Sequence, residues 1–396
     1  MRLIAWRAMS QPKGDPFERT LRYLRGQQPA MLRLLEDLVT CESPSHDKRA
    51  VDRCGEIVAR EWKWRKAEVR TLEQKKRGNH IRAALPCGNS PSAPQILVLG
   101  HLDTVYPLGT LRQMPFRISK GKAYGPGTFD MKGGLMLALF AVDALREMGA
   151  WPEKRLVFLW TSDEEIGSES SRAIIEREAR KSDVVLVLEP SLGPQGKLKT
   201  ARKGIGGAEI IVRGRAAHAG IEPEKGVNAV HELALQIQAL MQLTSPVRGI
   251  TVQATVISGG TASNVVPAEA RALIDIRFEK LADAKKLDAA IHSLRPILKG
   301  AKVEVRGGIN RPPLERTKKV AKLFDHAQEI MALMKLKLDE AATGGGSDGN
   351  LTGALGIPTL DGLGAVGDGA HTPNEHLIIR ALPERAALLA WLLMTL

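Results

Sequence analysis

Ile96-Leu97-Val98-Leu99-Gly100-His101-Leu102-Asp103 is a short apolar run that breaks off at a glycine, a histidine and an aspartate. Four apolar residues without alternation are too few for a helix and read as a strand buried on both faces. Two further runs share the pattern. Leu156–Trp160 ends just before Asp163-Glu164-Glu165, and Val184–Leu188 ends at Glu189. Leu135–Met148, between the first two, reads as an apolar helix. Upstream, Phe17–Val39 reads as one helix on the period of Leu21, Leu24, Met31, Leu34, Leu35 and Leu38, and Asp47–Trp62 as another. Buried strands alternating with helices predict an α/β fold, a mostly parallel sheet with helices on both faces.

In such sheets ligands gather at the carboxyl ends of strands. His101, Glu165 and Glu189 stand at those ends. Asp130, in Gly-Pro-Gly-Thr-Phe-Asp-Met-Lys-Gly-Gly, and His371, in Gly-Ala-His-Thr-Pro-Asn-Glu, complete a set of two imidazoles and three carboxylates. That is the donor set for a pair of divalent ions sharing one bridging carboxylate. Two ions ~3.5–4 Å apart can generate hydroxide and polarise a carbonyl at neutral pH. Each residue alone has a plainer reading: a turn histidine, an aspartate capping a glycine turn, a glutamate closing a strand. Their joint placement favours metal and a hydrolase.

After Glu189 the texture changes. Gly193-Pro194-Gln195-Gly196 reads as a linker. Strands at Ala208–Val212, Thr251–Ile257 and Ala270–Phe278 interleave with helices near Val227–Gln242 and Ala282–Leu294, a β-α-β-β-α pattern with an antiparallel sheet. Gly307-Gly308 and Pro312-Pro313 mark the expected return hinge. The expected organisation is a discontinuous catalytic domain, 1–193 and 307–396, around an inserted α+β domain, 194–306.

The chain has 396 residues, 43% hydrophobic and 26% charged, ordinary for a globular protein with a substantial core. No stretch nears the ~18 consecutive apolar residues of a membrane span. Met1–Arg7 lacks the apolar core of a secretory signal, so none is expected. Cys41, Cys54 and Cys87, an odd number without metal spacing, fit a reducing cytoplasm. Of the net charge of +13, +7 lies in residues 1–80, with 18 basic against 11 acidic residues. The charge is interleaved along helices without an aromatic RNA-binding signature, so it reads as a solvated surface and no nucleic-acid partner is expected. It favours anionic substrates. Gly344–Gly346 lacks the following Lys-Ser/Thr of a phosphate loop, and no G-x-S-x-G elbow occurs.

In order, Gly-His-Leu-Asp-Thr-Val, Gly-x-x-x-x-Asp-Met-Lys-Gly-Gly, Asp-Glu-Glu-Ile-Gly-Ser and the late Ala-His-Thr resemble the M20 metallopeptidases, co-catalytic di-zinc hydrolases, from about residue 30 onward. The resemblance implies a zinc-exopeptidase-like catalytic domain and a lid that dimerises. It implies two Zn2+ (Co2+ as a substitute), with Asp130 bridging, His101 and Glu189 completing one ion, and Glu165 and His371 the other. Asp103 would back the His101 imidazole, and Glu164 would be the general base. The bond after Asp130 is expected to be cis.

Within the lid, the resemblance assigns His218 to polarising the scissile carbonyl in the partner subunit's site. It gives Asn264 and Arg277 substrate contacts, the Gly345 loop an approach to the substrate carboxylate, and Arg311 carboxylate capture. Lys197 stands where carboxypeptidase G-like members face a glutamate side chain, although a solvent lysine at a strand start reads equally well. The implied activity is release of a C-terminal amino acid, glutamate first, from a small anionic peptidyl or N-acyl substrate. The alternative is an N-acyl amino-acid deacylase of the acetylornithine or succinyl-diaminopimelate type. A catalytically dead scaffold on the same fold is disfavoured by the intact ligands and base.

Overall fold

A computed structural model describes residues 14–86, 94–149 and 151–396. The stretch read above for a leader, Met1–Arg7, and Cys87 lie outside them. The chain forms two compact units. The first takes in Met1–Thr200, Arg316–Ala342 and Ser347–Leu396; the second takes in Ala201–Glu315 and Thr343–Gly346.

The first unit is built on a six-stranded sheet. Its order is Glu68–Leu72, His80–Leu85, Arg155–Thr161, Gln95–His101, Ser182–Val187 and Thr359–Leu360. Gln95–His101 is parallel to both neighbours, and Thr359–Leu360 adds a third parallel pairing; the first two strands are antiparallel additions at one edge. Side chains alternate between two packed faces. Ile96 and Val98 join a core with the helices Gly133–Glu147 and Leu382–Thr395. Leu97 and Leu99 join a second core with Ile175 of Arg172–Ala179 and Leu351 of Asp348–Ala354. All four are fully buried. Each such burial stabilises by roughly 1.5–3 kcal/mol, so the strand that ends at His101 is held firmly in register.

The expected helix at 17–39 is two, Pro16–Gly26 and Gln28–Thr40. Pro29 has no N–H to continue the first ladder and suits the opening turn of the second helix. The apolar period runs unbroken across the joint, with Leu21, Leu24, Met31, Leu34, Leu35 and Leu38 all buried, which is why periodicity alone missed it.

A smaller four-stranded sheet positions the rest of the site. His376–Ile378 pairs with Gly367–Asp368 on one side and with Lys122–Tyr124 on the other. It thereby sets the loop carrying His371 beside the segment that leads into Asp130.

The second unit has an antiparallel sheet ordered Thr251–Gly259, Glu269–Phe278, Gly204–Arg213 and Lys302–Arg311. Ala229–Met241 and Leu281–His292 pack on it through Leu233, Leu240, Leu287 and Ile291. Gly307 and Gly308 are no hinge. They lie inside Lys302–Arg311, opposite Ala208 and Gly207. Gly307 has φ +88°, and a Cβ there would stand 2.3 Å from the Gly207 carbonyl oxygen. Glycine is required by that close approach of two strands. The change between units accordingly falls after Glu315, beyond the expected 306, and after Thr200 where 193 was expected.

Candidate metal centre

All five expected ligands lie in the first unit, and the structure brings them together. Gln95–His101 delivers His101 at its last residue, and Arg155–Thr161 runs into the turn of Glu164–Ile166. Glu189 follows Ser182–Val187 by two residues. Asp130 lies in the turn Thr128–Lys132, where the Asp130–Met131 peptide is cis.

The two oxygens of Asp130 face different imidazoles. Oδ1 is 3.3 Å from His101 Nε2, and Oδ2 is 3.4 Å from His371 Nε2. His101 Nε2 is also 3.5 Å from Glu189 Oε1, and His371 Nε2 is 3.2 Å from Glu165 Oε2. A tetrahedral ion with bonds of about 2.0–2.1 Å has donor atoms roughly 3.3 Å apart. The observed separations match that edge at both ends of Asp130. His101 Nδ1 lies 2.9 Å from the Asp103 carbonyl oxygen, to which it donates, leaving the Nε2 lone pair toward the carboxylates. Glu165 Oε1 is buried without a hydrogen-bond partner. The residues present therefore fit two cations.

The charge balance points the same way. Burial opposes ionising His101, but the Asp103 and Asp130 carboxylates outweigh it and lift the ring well above its ordinary range. Hydrogen bonds to Asp130 and Glu165 raise His371 to about 10. Burial pushes the Glu165 carboxyl up to about 7, reinforced by the Asp130 and Glu164 charges. Burial would raise Asp130 too, yet the two imidazoles hold it well below the usual carboxylate range. Positive charge is favoured at either end of Asp130.

Asp103 contacts more than the His101 ring. Its Oδ1 is 3.5 Å from His101 Nδ1, behind the shorter contact of its own carbonyl. The same carboxylate accepts from Ser45 Oγ at 2.7 Å and from the backbone N–H groups of Glu164 and Glu165 at 3.2 Å. It ties the imidazole to the Glu164-Glu165 turn. Carboxylate oxygens of Glu164 and Glu189 and a ring nitrogen of His101 all lie within 4.8 Å of one another. Glu164 thus faces the His101 end of the pair.

Glu375 was not singled out in the sequence. It is fully buried, and its carboxylate accepts from the backbone N–H groups of Gly127 (3.0 Å), Phe129 (2.8 Å) and Asp130 (2.9 Å). It clamps the loop that presents the central carboxylate. Its only signal is its place four residues after His371; nothing in the sequence shows that it reaches back to Asp130. Glutamine there would keep one acceptor oxygen and turn N–H donors toward N–H donors. Glu375→Gln is expected to weaken divalent-cation binding about 10–100-fold, measured by titrating the metal-free protein.

Other expected contacts divide between the units. Lys197, in the first, is half-buried just after the turn at Gly193–Gly196. In the second, Arg277 pairs with Asp275 at 2.9 Å and donates to the Gly344 carbonyl oxygen at 3.3 Å. Arg202 holds the carbonyls of Gly345 and Gly346, and a Cβ on Gly346 would stand 3.3 Å from Arg311 Cδ. Arg311 is buried, because it ends a paired strand opposite Ile205. Arg277, Arg311 and the Gly345 loop form one cluster. His218 and Asn264 are exposed at the other end of the sheet: His218 bridges to Val265, past Arg213, whereas Arg277 and Arg311 pair with Ile205 at the start of the same strand. His218 Nδ1 accepts from the N–H groups of Gly220 and Ile221, both at 3.1 Å. This puts the ring proton of the neutral form on Nε2, available to a carbonyl oxygen.

A model of peptidase family M20/M25/M40 matches residues 97–395. Carboxypeptidase G2 of Pseudomonas sp. (strain RS-16) is 32% identical over 383 residues, covering 93% of this chain and 90% of that protein. Succinyl-diaminopimelate desuccinylase of Dechloromonas aromatica is 30% identical over 318 residues, covering 75% of this chain and 82% of that protein. Among solved structures, the YXEP protein of Bacillus subtilis, described as a dinuclear metal binding peptidase, shares the fold. Its TM-score is 0.68 at 16% identity, over 93% of this chain and 98% of that one.

Proposed function

Because the chain belongs to peptidase family M20/M25/M40, and is a hydrolase, we propose that it cleaves an amide bond to release a C-terminal amino acid, glutamate first, from N-acyl or peptidyl substrates. The observation that carries the reading is the central carboxylate with one oxygen toward each imidazole. Asp130, His101 and Glu189 would hold one Zn2+, and Asp130, Glu165 and His371 the other, with Co2+ as a substitute. Ions held there supply Lewis acidity and an acidified water. Glu164 takes the proton of the attacking water and gives it to the leaving amine nitrogen. Arg277, Arg311 and the backbone of Gly345 take the substrate α-carboxylate, and Lys197 the side-chain carboxylate. A Cβ at position 345 would meet nothing within 4 Å, so packing does not demand glycine and an approaching ligand would.

His218, through Nε2–H, polarises the scissile carbonyl, with Asn264 beside it. These two stand at the opposite end of a ten-residue strand from Arg277 and Arg311, roughly 30 Å away. One lid cannot bring both groups to one substrate. The partner subunit's His218 fills that role in a homodimer. No helix among the described residues is long and apolar enough to cross a membrane, and a cytoplasmic setting suits the free thiols Cys41 and Cys54.

The similarity to the desuccinylase favours the N-acyl amino-acid deacylase as a second reading. Incubating the zinc-loaded protein with N-acetyl-L-glutamate and with N-acetylornithine separates the two. Glutamate release is expected, abolished by a chelator and restored by zinc or cobalt. Hydrolysis of N-acetylornithine alone would favour the deacylase, and inactivity on both without bound metal the scaffold.

A further inference from the structure

Behind the turn that carries Glu164 and Glu165, one buried ring ties together the two ends of a loop. His80 opens the strand His80–Leu85 and is fully buried. Its Nδ1 lies 3.0 Å from Ser162 Oγ and its Nε2 lies 3.3 Å from Ser170 Oγ. Between those serines runs the loop that links the strand Arg155–Thr161 to the helix Arg172–Ala179, with Glu164 half-buried within it. We propose that His80 is a positioning residue: by closing the ends of this loop it holds the Glu164 carboxylate where it moves the proton, an inference that rests on the base role proposed for Glu164.

Proton directions make the ring a bridge. Ser170 Oγ donates to Asp163 Oδ2 at 2.7 Å, so its lone pair is left to receive Nε2–H from the ring. Ser162 Oγ–H stands between the Gly78 carbonyl oxygen and the remaining nitrogen, Nδ1. Burial holds the ring below its ordinary range against the Asp163 and Asp348 charges, which favours the neutral form with a single N–H. A hydrocarbon in the same space would fill the volume and leave the two ends untied.

The other holds on the loop act at different points. Asp103 accepts from the backbone N–H groups of Glu164 and Glu165 at its centre, both at 3.2 Å. Asp163 accepts from Ser170 N–H at 2.6 Å, and its carbonyl oxygen accepts from Ser168 N–H at 2.8 Å, curling the second half. His80 fastens both ends to the sheet, where the next residue, Ile81, pairs with Trp160. Such support matters most for a group that must meet a proton at fixed reach, since a displacement of ~1 Å can lower rate by roughly 10²-fold.

The test compares zinc-loaded proteins on whichever of N-acetyl-L-glutamate and N-acetylornithine the native chain hydrolyses. His80→Leu fills a similar volume, and both serine hydroxyls keep an acceptor in the Gly78 carbonyl and Asp163, so the fold is expected to survive. It should lower kcat about 10–100-fold, with KM within about twofold and about two ions per chain by elemental analysis. Ser170→Ala, which cuts the same tie from the other side, should do the same. In a Glu164→Ala background either change should alter kcat by less than about twofold, because the group being positioned is gone. A fall by the same factor with and without Glu164 would show general support of the fold, and unchanged kcat in both single variants would show an idle contact; either result overturns the proposal. Loss of an ion from His80→Leu would place the effect on Glu165 and overturn it as well. Near-normal turnover of Glu164→Ala by itself would instead refute the base, and the proposal with it.

Discussion

Asp130→Ala is expected to remove both metal ions at once and to lower kcat/KM by at least about a thousandfold, since metal-ion catalysis supplies several kcal/mol. The residue stands between His101 and His371 with one oxygen 3.3 Å from the first and the other 3.4 Å from the second. Glu189 approaches the His101 ring at 3.5 Å and Glu165 the His371 ring at 3.2 Å. Loss of Asp130 leaves His101 with Glu189 on one side and His371 with Glu165 on the other, two half-sites with nothing to hold them at a fixed separation. Elemental analysis should therefore fall from about two ions per chain to fewer than one. His371→Ala, which dismantles one end only, should retain about one ion. Two ions retained by Asp130→Ala would show that each half-site holds its own metal, and the bridge would be wrong.

Much of this arrangement could be read from the sequence because its logic is local. A buried parallel strand has to be apolar on both faces, so the point where Ile96–Leu99 gives way to Gly100-His101 announces a strand end, and strand ends are where α/β sheets keep their chemistry. The same holds for the runs before Glu165 and Glu189. Asp130 and His371 had no such frame. Their convergence depends on the pairing of Lys122–Tyr124 with His376–Ile378, two three-residue strands too short to carry a pattern.

Other features were hidden for definite reasons. The break at Gln27 leaves the apolar period intact, so nothing in the buried positions records it. Gly307-Gly308 reads as punctuation, but the backbone uses it to bring two strands within a close approach. The buried network behind Glu164-Glu165 joins residues from four separate stretches. Asp163 accepts from Ser170 N–H at 2.6 Å and Oγ at 2.7 Å, His80 lies 3.0 Å from Ser162 Oγ, and Asp348 accepts from Thr161 Oγ1 at 3.1 Å. Glu375 belongs with them: each satisfies groups brought near only by the finished fold, which no spacing along the chain encodes.

Glu164 and Glu165 adjoin in sequence, and substitution of each should separate the roles proposed for them. Glu165 Oε2 is 3.2 Å from His371 Nε2, as the proposed ligand set requires. Glu164 faces His101 and Glu189 from the same turn, with its backbone held by Asp103. If Glu164 moves the proton, Glu164→Ala should keep about two ions per chain and near-normal KM while kcat falls about 10²–10⁴-fold. Glu165→Ala should lose an ion as well as activity. Metal content makes the distinction sharp, because Glu164 lies within 4.8 Å of two ligand residues and could itself coordinate. An ion lost from Glu164→Ala would transfer Glu164 from proton carrier to ligand. Two ions with near-normal turnover would take it out of the reaction. Only retained metal with collapsed kcat leaves it as the base.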